Sequence, residues 1–226
     1  MSTLVNVAPD GDRKVSPHVR LTSDVSLNNI KNEVSVRYAL DPDKQWYVMR
    51  ATYHREKKAY DFIINQSKVD ADCFLPLRRR VKVVNGKRRF IIEPFLPNFL
   101  FVYTTPQSIR ELTKNSELDF LNHYYDHFKK DEAGKNPPLI VPYDAMMNFI
   151  KVTSVDIDKV KIVTVEQCRF KSGDLVRVTK GDFKGVVGKV ARLGGQQRIV
   201  VEVKGVCLVS TAYVPSVFFG KGVRIS

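Results

Sequence analysis

The spacing of apolar and polar positions changes twice along this chain. Residues 1–44 are polar and mostly aperiodic, punctuated by Pro17 and Pro42. That texture predicts a largely disordered arm, with a short strand or helix around Val34–Leu40. From Gln45 the pattern tightens. Trp46-Tyr47-Val48-Met49 is an aromatic and β-branched run, which predicts a strand. Between His54 and Gln66, Ala59, Phe62 and Ile63 recur at helical spacing among charged residues. A short strand over Ala71–Leu75 ends at Pro76. Val81-Lys82-Val83-Val84 then runs through Asn85-Gly86 into Lys87-Arg88-Arg89-Phe90-Ile91-Ile92. Asn-Gly supplies the two positive-φ residues of a type I′ turn, so this is a hairpin.

Asn98–Tyr103 is apolar on both alternating faces, with Phe99, Phe101 and Tyr103 on one and Leu100 and Val102 on the other. That predicts a central strand. Pro106 suits the first turn of a helix reaching Lys114. Leu118–Tyr125 reads as a strand, Asp126–Pro138 as a polar loop, and Pro142–Lys151 as a short helix with Met146, Phe149 and Ile150 inward. Residues 45–151 are thus an α+β unit of βαβ type, with a mixed sheet and flanking helices. Residues 152–168 lack periodicity and read as a linker. Over 169–226 the texture becomes short β-branched runs: Leu175–Val178, Val186–Val190, Ile199–Val203, Val206–Val209 and Ala212–Val214. Gly173, Gly181, Gly185, Gly188, Gly194-Gly195 and Gly205 punctuate them as turn glycines, the pattern of a small all-β barrel.

Charge adds a partner class. Against 24 acidic residues stand 37 Lys and Arg, a net +13. Such an excess suits a polyanion, either nucleic acid or a membrane surface, although solubility alone also favours net charge. No apolar run is long enough to span a bilayer, and Asp10, Asp12 and Arg13 lie where a secretion signal needs an apolar core. Cys73, Cys168 and Cys207 are odd in number and widely spaced, which fits buried thiols in a reducing cytoplasm and neither a disulfide framework nor a zinc site.

Catalytic patterns are missing. The Gly181, Gly185 and Gly188 spacing matches neither a P-loop nor a dinucleotide fingerprint. His123 and His127 are four apart, but Tyr124 stands where a metalloprotease helix places its Glu. Glu93 and Asp182 have no evident carboxylate partner, and no nucleophile elbow occurs. We therefore expect no catalytic centre, no metal and no cofactor.

Two basic clusters are better defined. Arg78, Arg79, Arg80, Lys82, Lys87, Arg88 and Arg89 put seven cations on one hairpin, with no acid between Leu77 and Ile92. Like charges facing across strands cost stability, which a polyanion offsets. The alternative is a solvated edge hairpin whose charges block aggregation. The second cluster is Arg50, His54, Arg55, Lys57 and Lys58, at the end of the first strand and the start of the first helix. A helix N-terminus favours phosphate, and an ordinary wet helix face is the alternative.

Several stretches carry a family resemblance. Trp46-Tyr47-Val48 and Glu93-Pro94-Phe95-Leu96-Pro97-Asn98-Phe99-Leu100-Phe101-Val102 resemble the N-terminal (NGN) domain of the NusG family, the Pro-Asn-aromatic-Leu-Phe-Val strand being similar to its specialised RfaH branch. Phe170–Val178 followed by Gly181-Asp182-Phe183-Lys184-Gly185-Val186-Val187-Gly188 resembles a KOW motif, found in SH3-like barrels and also in ribosomal proteins. Pro76-Leu77-Arg78, the Lys82–Arg88 hairpin and Gly205–Val214 resemble UpxY antiterminators of capsular polysaccharide operons. The resemblance covers about residues 45–218.

The resemblance implies an operon-specific elongation and antitermination factor: cytoplasmic, monomeric and not an enzyme. Its N-terminal domain would bind the clamp helices of RNA polymerase through Tyr47, Phe95, Leu96, Phe99 and Phe101, with core packing the alternative role for each. Arg110, in Ile109-Arg110-Glu111, would reach the opposite jaw, and a factor bridging both jaws would favour the processive state. The basic clusters would lie near the non-template strand or the upstream duplex, or near a nascent RNA leader. The KOW barrel, marked by Gly181, Phe183, Gly185 and Gly188, would recruit a ribosomal protein or a termination factor. In the RfaH branch this domain can refold as a helical hairpin. The β-branched residues and glycines here oppose that and predict a permanent barrel. A general NusG factor and a ribosome-associated KOW protein remain as alternative readings.

Overall fold

The computed structural model describes residues 37–155, 157–170 and 175–220. The first sheet is built from β1 (Gln45–Ala51), β2 (Ala71–Phe74), β5 (Phe99–Thr104) and β6 (Leu121–His123), in the order β2-β5-β1-β6, and β7 (Ile140–Val141) also pairs with β1. Helix α1 (Glu56–Asn65) follows β1, and α2 (Pro106–Lys114) follows β5. Each βαβ unit skips one position in the sheet, and the skipped strand belongs to the other unit. This is the interlocked, ferredoxin-like arrangement. Every pairing in it is antiparallel, whereas the sequence suggested a mixed sheet. The reason is the interlocking: β1 and β2 run parallel, but β5 separates them.

Between β2 and β5 the chain projects a two-stranded hairpin, β3 (Leu77–Val84) and β4 (Lys87–Pro94). Asn85 and Gly86 have φ of 52° and 73°, as the type I′ turn requires. The ladder runs to Leu77 and Pro94, past the strand ends that the apolar pattern suggested.

The two faces of the first sheet bury different residues. On one, Tyr47, Met49, Leu100 and Val102 pack under Ala59, Tyr60 and Ile63 of α1 and Ile109 and Leu112 of α2. Helix α2 is well started: Thr105 Oγ1 accepts the Ser108 N–H at 3.2 Å, and Pro106 occupies the first turn. On the other face, Trp46, Val48, Phe101 and Tyr103 meet α3 (Tyr143–Val155) through Met146, Phe149 and Ile150. The Phe149 ring lies 5.4 Å from that of Phe101 and 6.0 Å from that of Phe74.

Helix α3 runs past Lys151 and is buried on more than one side. Beyond it lies a second sheet, ordered β10 (Val176–Arg177), β11 (Val187–Leu193), β12 (Gln196–Val203), β13 (Cys207–Tyr213) and β8 (Lys161–Val163), with β9 (Arg169–Phe170) pairing β11. Ile199, Val201, Val203 and Val209 share one continuous apolar cluster with α3 and the first sheet. Residues 169–226 are β-rich as expected, but among the described residues no pairing closes this sheet into a barrel.

The stretch 152–168 is more structured than a linker. It holds the end of α3, a 3₁₀ turn at Ile157–Lys159 and strand β8, which pairs with β13. Val152, Val160 and Val163 are buried at irregular intervals, which is why no period betrays them. The Leu118–Tyr125 strand shortens to Leu121–His123, because Ser116–Leu118 forms a 3₁₀ turn capped by Asn115. Gly188 is not a turn glycine but lies inside β11. Gly173 and the Val34–Val36 part of the suggested arm element lie outside the described residues.

Order also begins before Gln45. Tyr38 is fully buried; its hydroxyl donates to the Cys73 carbonyl at 2.8 Å, and its own carbonyl accepts from the Tyr143 hydroxyl at 2.6 Å. Arg37 pairs with Asp72 at 3.5 Å and Lys44 with Asp70 at 2.8 Å. Residues 37–44 are therefore a strap across β2, β5 and α3, and no disordered arm.

Candidate nucleic-acid and polymerase interface

The β3–β4 hairpin carries the densest charge of the described residues. Its register sets Arg78 opposite Glu93, Arg80 opposite Ile91, Lys82 opposite Arg89 and Val84 opposite Lys87. Glu93 lies at the base, where its Oε1 accepts from Arg78 at 2.9 Å and from Arg80 at 3.2 Å, and Lys82 Nζ lies 3.5 Å from Oε2. Partial desolvation works against the charged carboxylate, yet the Arg78 and Arg80 hydrogen bonds hold its pKa below the ordinary value. One acid thus gathers three basal cations and leaves the base of the hairpin net positive. Sequence reasoning left Glu93 without a role, although counting outward from the Asn85-Gly86 turn places it across from Arg78. Arg79, Lys87, Arg88 and Arg89 have no carboxylate within ion-pair distance among the described residues.

The second basic cluster is arranged differently. Arg50, His54, Lys57 and Lys58 are exposed, and Arg55 is half-buried. Arg55 lies 4.0 Å over the Phe120 ring and 3.8 Å from Asp119, and Lys57 bonds Asp61 at 2.7 Å. The positive end of α1 holds its own carboxylate: Glu56, in the first turn, is fully buried, and its Oε1 accepts the Asn98 backbone N–H. That carboxyl group already fills the helix start, which is therefore a poor site for an added phosphate. Backbone strain is concentrated here, with Tyr53, His54 and Asn98 at φ of 56°, 55° and 68°.

The six side chains expected at the polymerase divide into two groups. Phe95, Leu96 and Phe101 are buried in the cluster under α3, and Phe99 is half-buried against it with its ring 5.1 Å from Tyr124. Tyr47 lies on the opposite face, buried beneath the helices. Its phenol is pushed up by that burial and drawn back by the nearby charge of Arg110. Arg110 itself is exposed on α2. The sheet alternation forces this division: Tyr47 pairs Val102, whereas Val48 pairs Phe101.

In the second sheet, Gly181 and Gly185 take φ of 75° and 88° in the turn before β11, with Phe183 buried between them. Gly188 is needed for space: a Cβ there would lie 2.5 Å from the Val200 carbonyl oxygen. Cys73, Cys168 and Cys207 are free thiols. Among the described residues no group of three or more His, Cys, Asp or Glu side chains is arranged to hold a metal, and no helix is long and apolar enough to cross a membrane.

An interlocked βαβ sheet with a charged hairpin between its second and third strands defines a domain class. Residues 44–123 match the family model for NusG, described as transcription termination factor nusG. The match begins just before β1 and ends on the last residue of β6. It spans the interlocked unit with its hairpin, and the chain carries a NusG-family domain there.

Proposed function

We propose that this protein is a transcription elongation and antitermination factor that binds RNA polymerase and promotes processive transcription of particular operons, polysaccharide biosynthesis genes among them. The NusG-family match over residues 44–123 carries this reading. The specialisation rests on the UpxY-like stretches and on the cationic hairpin.

In this reading the NusG-type domain rides on the polymerase clamp. Phe99 and Arg110 are the members of the expected contact set that reach the surface, while Tyr47, Phe95, Leu96 and Phe101 build the domain that presents them. The hairpin lies along non-template DNA or a nascent RNA leader. The second sheet, with the KOW-like turn at Gly181–Gly188, recruits a ribosomal protein or a termination factor. The factor works in the cytoplasm as a monomer.

Co-purification tests the placement. A tagged chain should carry RNA polymerase, and Phe99→Ala with Arg110→Glu should lower the yield several-fold without unfolding the domain. Unchanged yield would refute the contact surface. The family description names a transcription termination factor, and a housekeeping NusG role is the second reading. Transcript mapping after deletion separates them: a specialised factor alters a few operons, a general one nearly all genes.

A further inference from the structure

The β3–β4 hairpin has two unlike faces. Paired residues share a face, and successive residues alternate. One face holds Glu93 and the cations it gathers, then Arg89 and Lys87 toward the tip. The other holds Val81, Val83, Phe90 and Ile92, which are 52%, 68%, 66% and 58% exposed, flanked by Arg79 and Arg88. The Arg79 guanidinium lies 4.0 Å over the Phe90 ring. The hairpin joins neither larger sheet. Charges placed only to prevent edge pairing would not need a bare aromatic and aliphatic stripe beside them.

We infer that this face binds single-stranded nucleic acid: unpaired bases lie on Phe90 and its aliphatic neighbours while the phosphates run along Arg79 and Arg88, the cations of the same face. The inference rests on the reading that the hairpin contacts nucleic acid, and it names the form. A duplex offers phosphates and groove edges but keeps its base faces inside the stack, so it would satisfy the cations and leave the stripe uncovered. An unpaired strand offers both, because every base has a π-face and every nucleotide a charge. The Arg79 contact marks the Phe90 ring as open to a planar cationic or π partner. An apolar protein surface would cover the stripe but desolvate Arg79 and Arg88 without an acid.

Fluorescence anisotropy with the full chain tests this, using a labelled single strand of about a dozen nucleotides and the matching duplex. The single strand should bind at least about tenfold tighter. Phe90→Ala should weaken single-strand binding about tenfold with an unchanged salt slope, and Phe90→Tyr should restore it. Arg79→Gln and Arg88→Gln should each lower the salt slope by about one. Matching circular dichroism of the variants establishes that the fold is kept. Equal or tighter duplex binding, or indifference to Phe90→Ala, overturns the single-strand assignment and leaves the nucleic-acid reading standing. Binding to neither overturns both and leaves the stripe to a protein partner.

Discussion

The Asn148 side chain, on α3, accepts the Val187 backbone N–H at 3.0 Å. The helix that closes one face of the NusG-type sheet therefore also satisfies the start of β11 in the second sheet. Asn148→Ala leaves that amide unpaired beside a buried apolar layer and should cost about 1–3 kcal/mol. Hydrogen exchange reads it directly: the Val187 amide should exchange faster, while amides in α1 stay protected. Unchanged Val187 protection would mean that the two sheets do not depend on this bond.

Tyr38 precedes the matched domain yet is fully buried, with its ring 5.1 Å from that of Trp46. Tyr38→Ala should destabilise the protein by about 3–5 kcal/mol, as loss of a core aromatic does. Tyr38→Phe, which removes only the hydroxyl bond to the Cys73 carbonyl, should cost about 1 kcal/mol. Urea denaturation followed through Trp46, the sole tryptophan, measures both. Wild-type stability in Tyr38→Ala would rule out the strap as part of the core.

Much of this architecture was legible in the chain. The Asn85-Gly86 turn announced the hairpin, Pro106 the start of α2, and the doubly apolar run at Phe99–Tyr103 a central strand. What escaped notice depends on long-range partners. Strands β7, β8 and β9 are two or three residues long, too short for any period to register. Tyr38 sits in a polar stretch, and its burial depends on Cys73, Phe74 and Tyr143 far along the chain. The resemblance assigns Tyr47 and Phe101 to one contact surface, but only the β1–β5 register reveals that they lie on opposite faces.

Glu93 gives the hairpin a pH dependence. Its folded pKa lies below the ordinary 4.5, so its contribution is complete above that value and is lost as pH falls through the lowered one. A carboxyl-detected NMR titration should place its midpoint below 4.5, and Arg78→Gln with Arg80→Gln should move the midpoint up. A wild-type midpoint at or above the ordinary value would contradict the clamp.

Gly188 is constrained by space rather than by φ. The nearest atoms to an added Cβ are the Val200 carbonyl oxygen at 2.5 Å and Ile199 Cγ2 at 2.6 Å, and the backbone atom does not yield easily. Gly188→Ala should cost about 3 kcal/mol through overpacking and loosen the β11–β12 ladder. Thermal denaturation and amide exchange across Lys189–Leu193 check it, and a wild-type melting midpoint would contradict the close approach.

We propose above all that this chain acts on transcribing RNA polymerase. Single-round elongation with purified core polymerase on a template carrying a terminator tests it most directly. The full chain should co-elute with the elongation complex and raise read-through several-fold. Phe99→Ala with Arg110→Glu should abolish both effects. Neither co-elution nor altered read-through by the folded wild-type chain would contradict it.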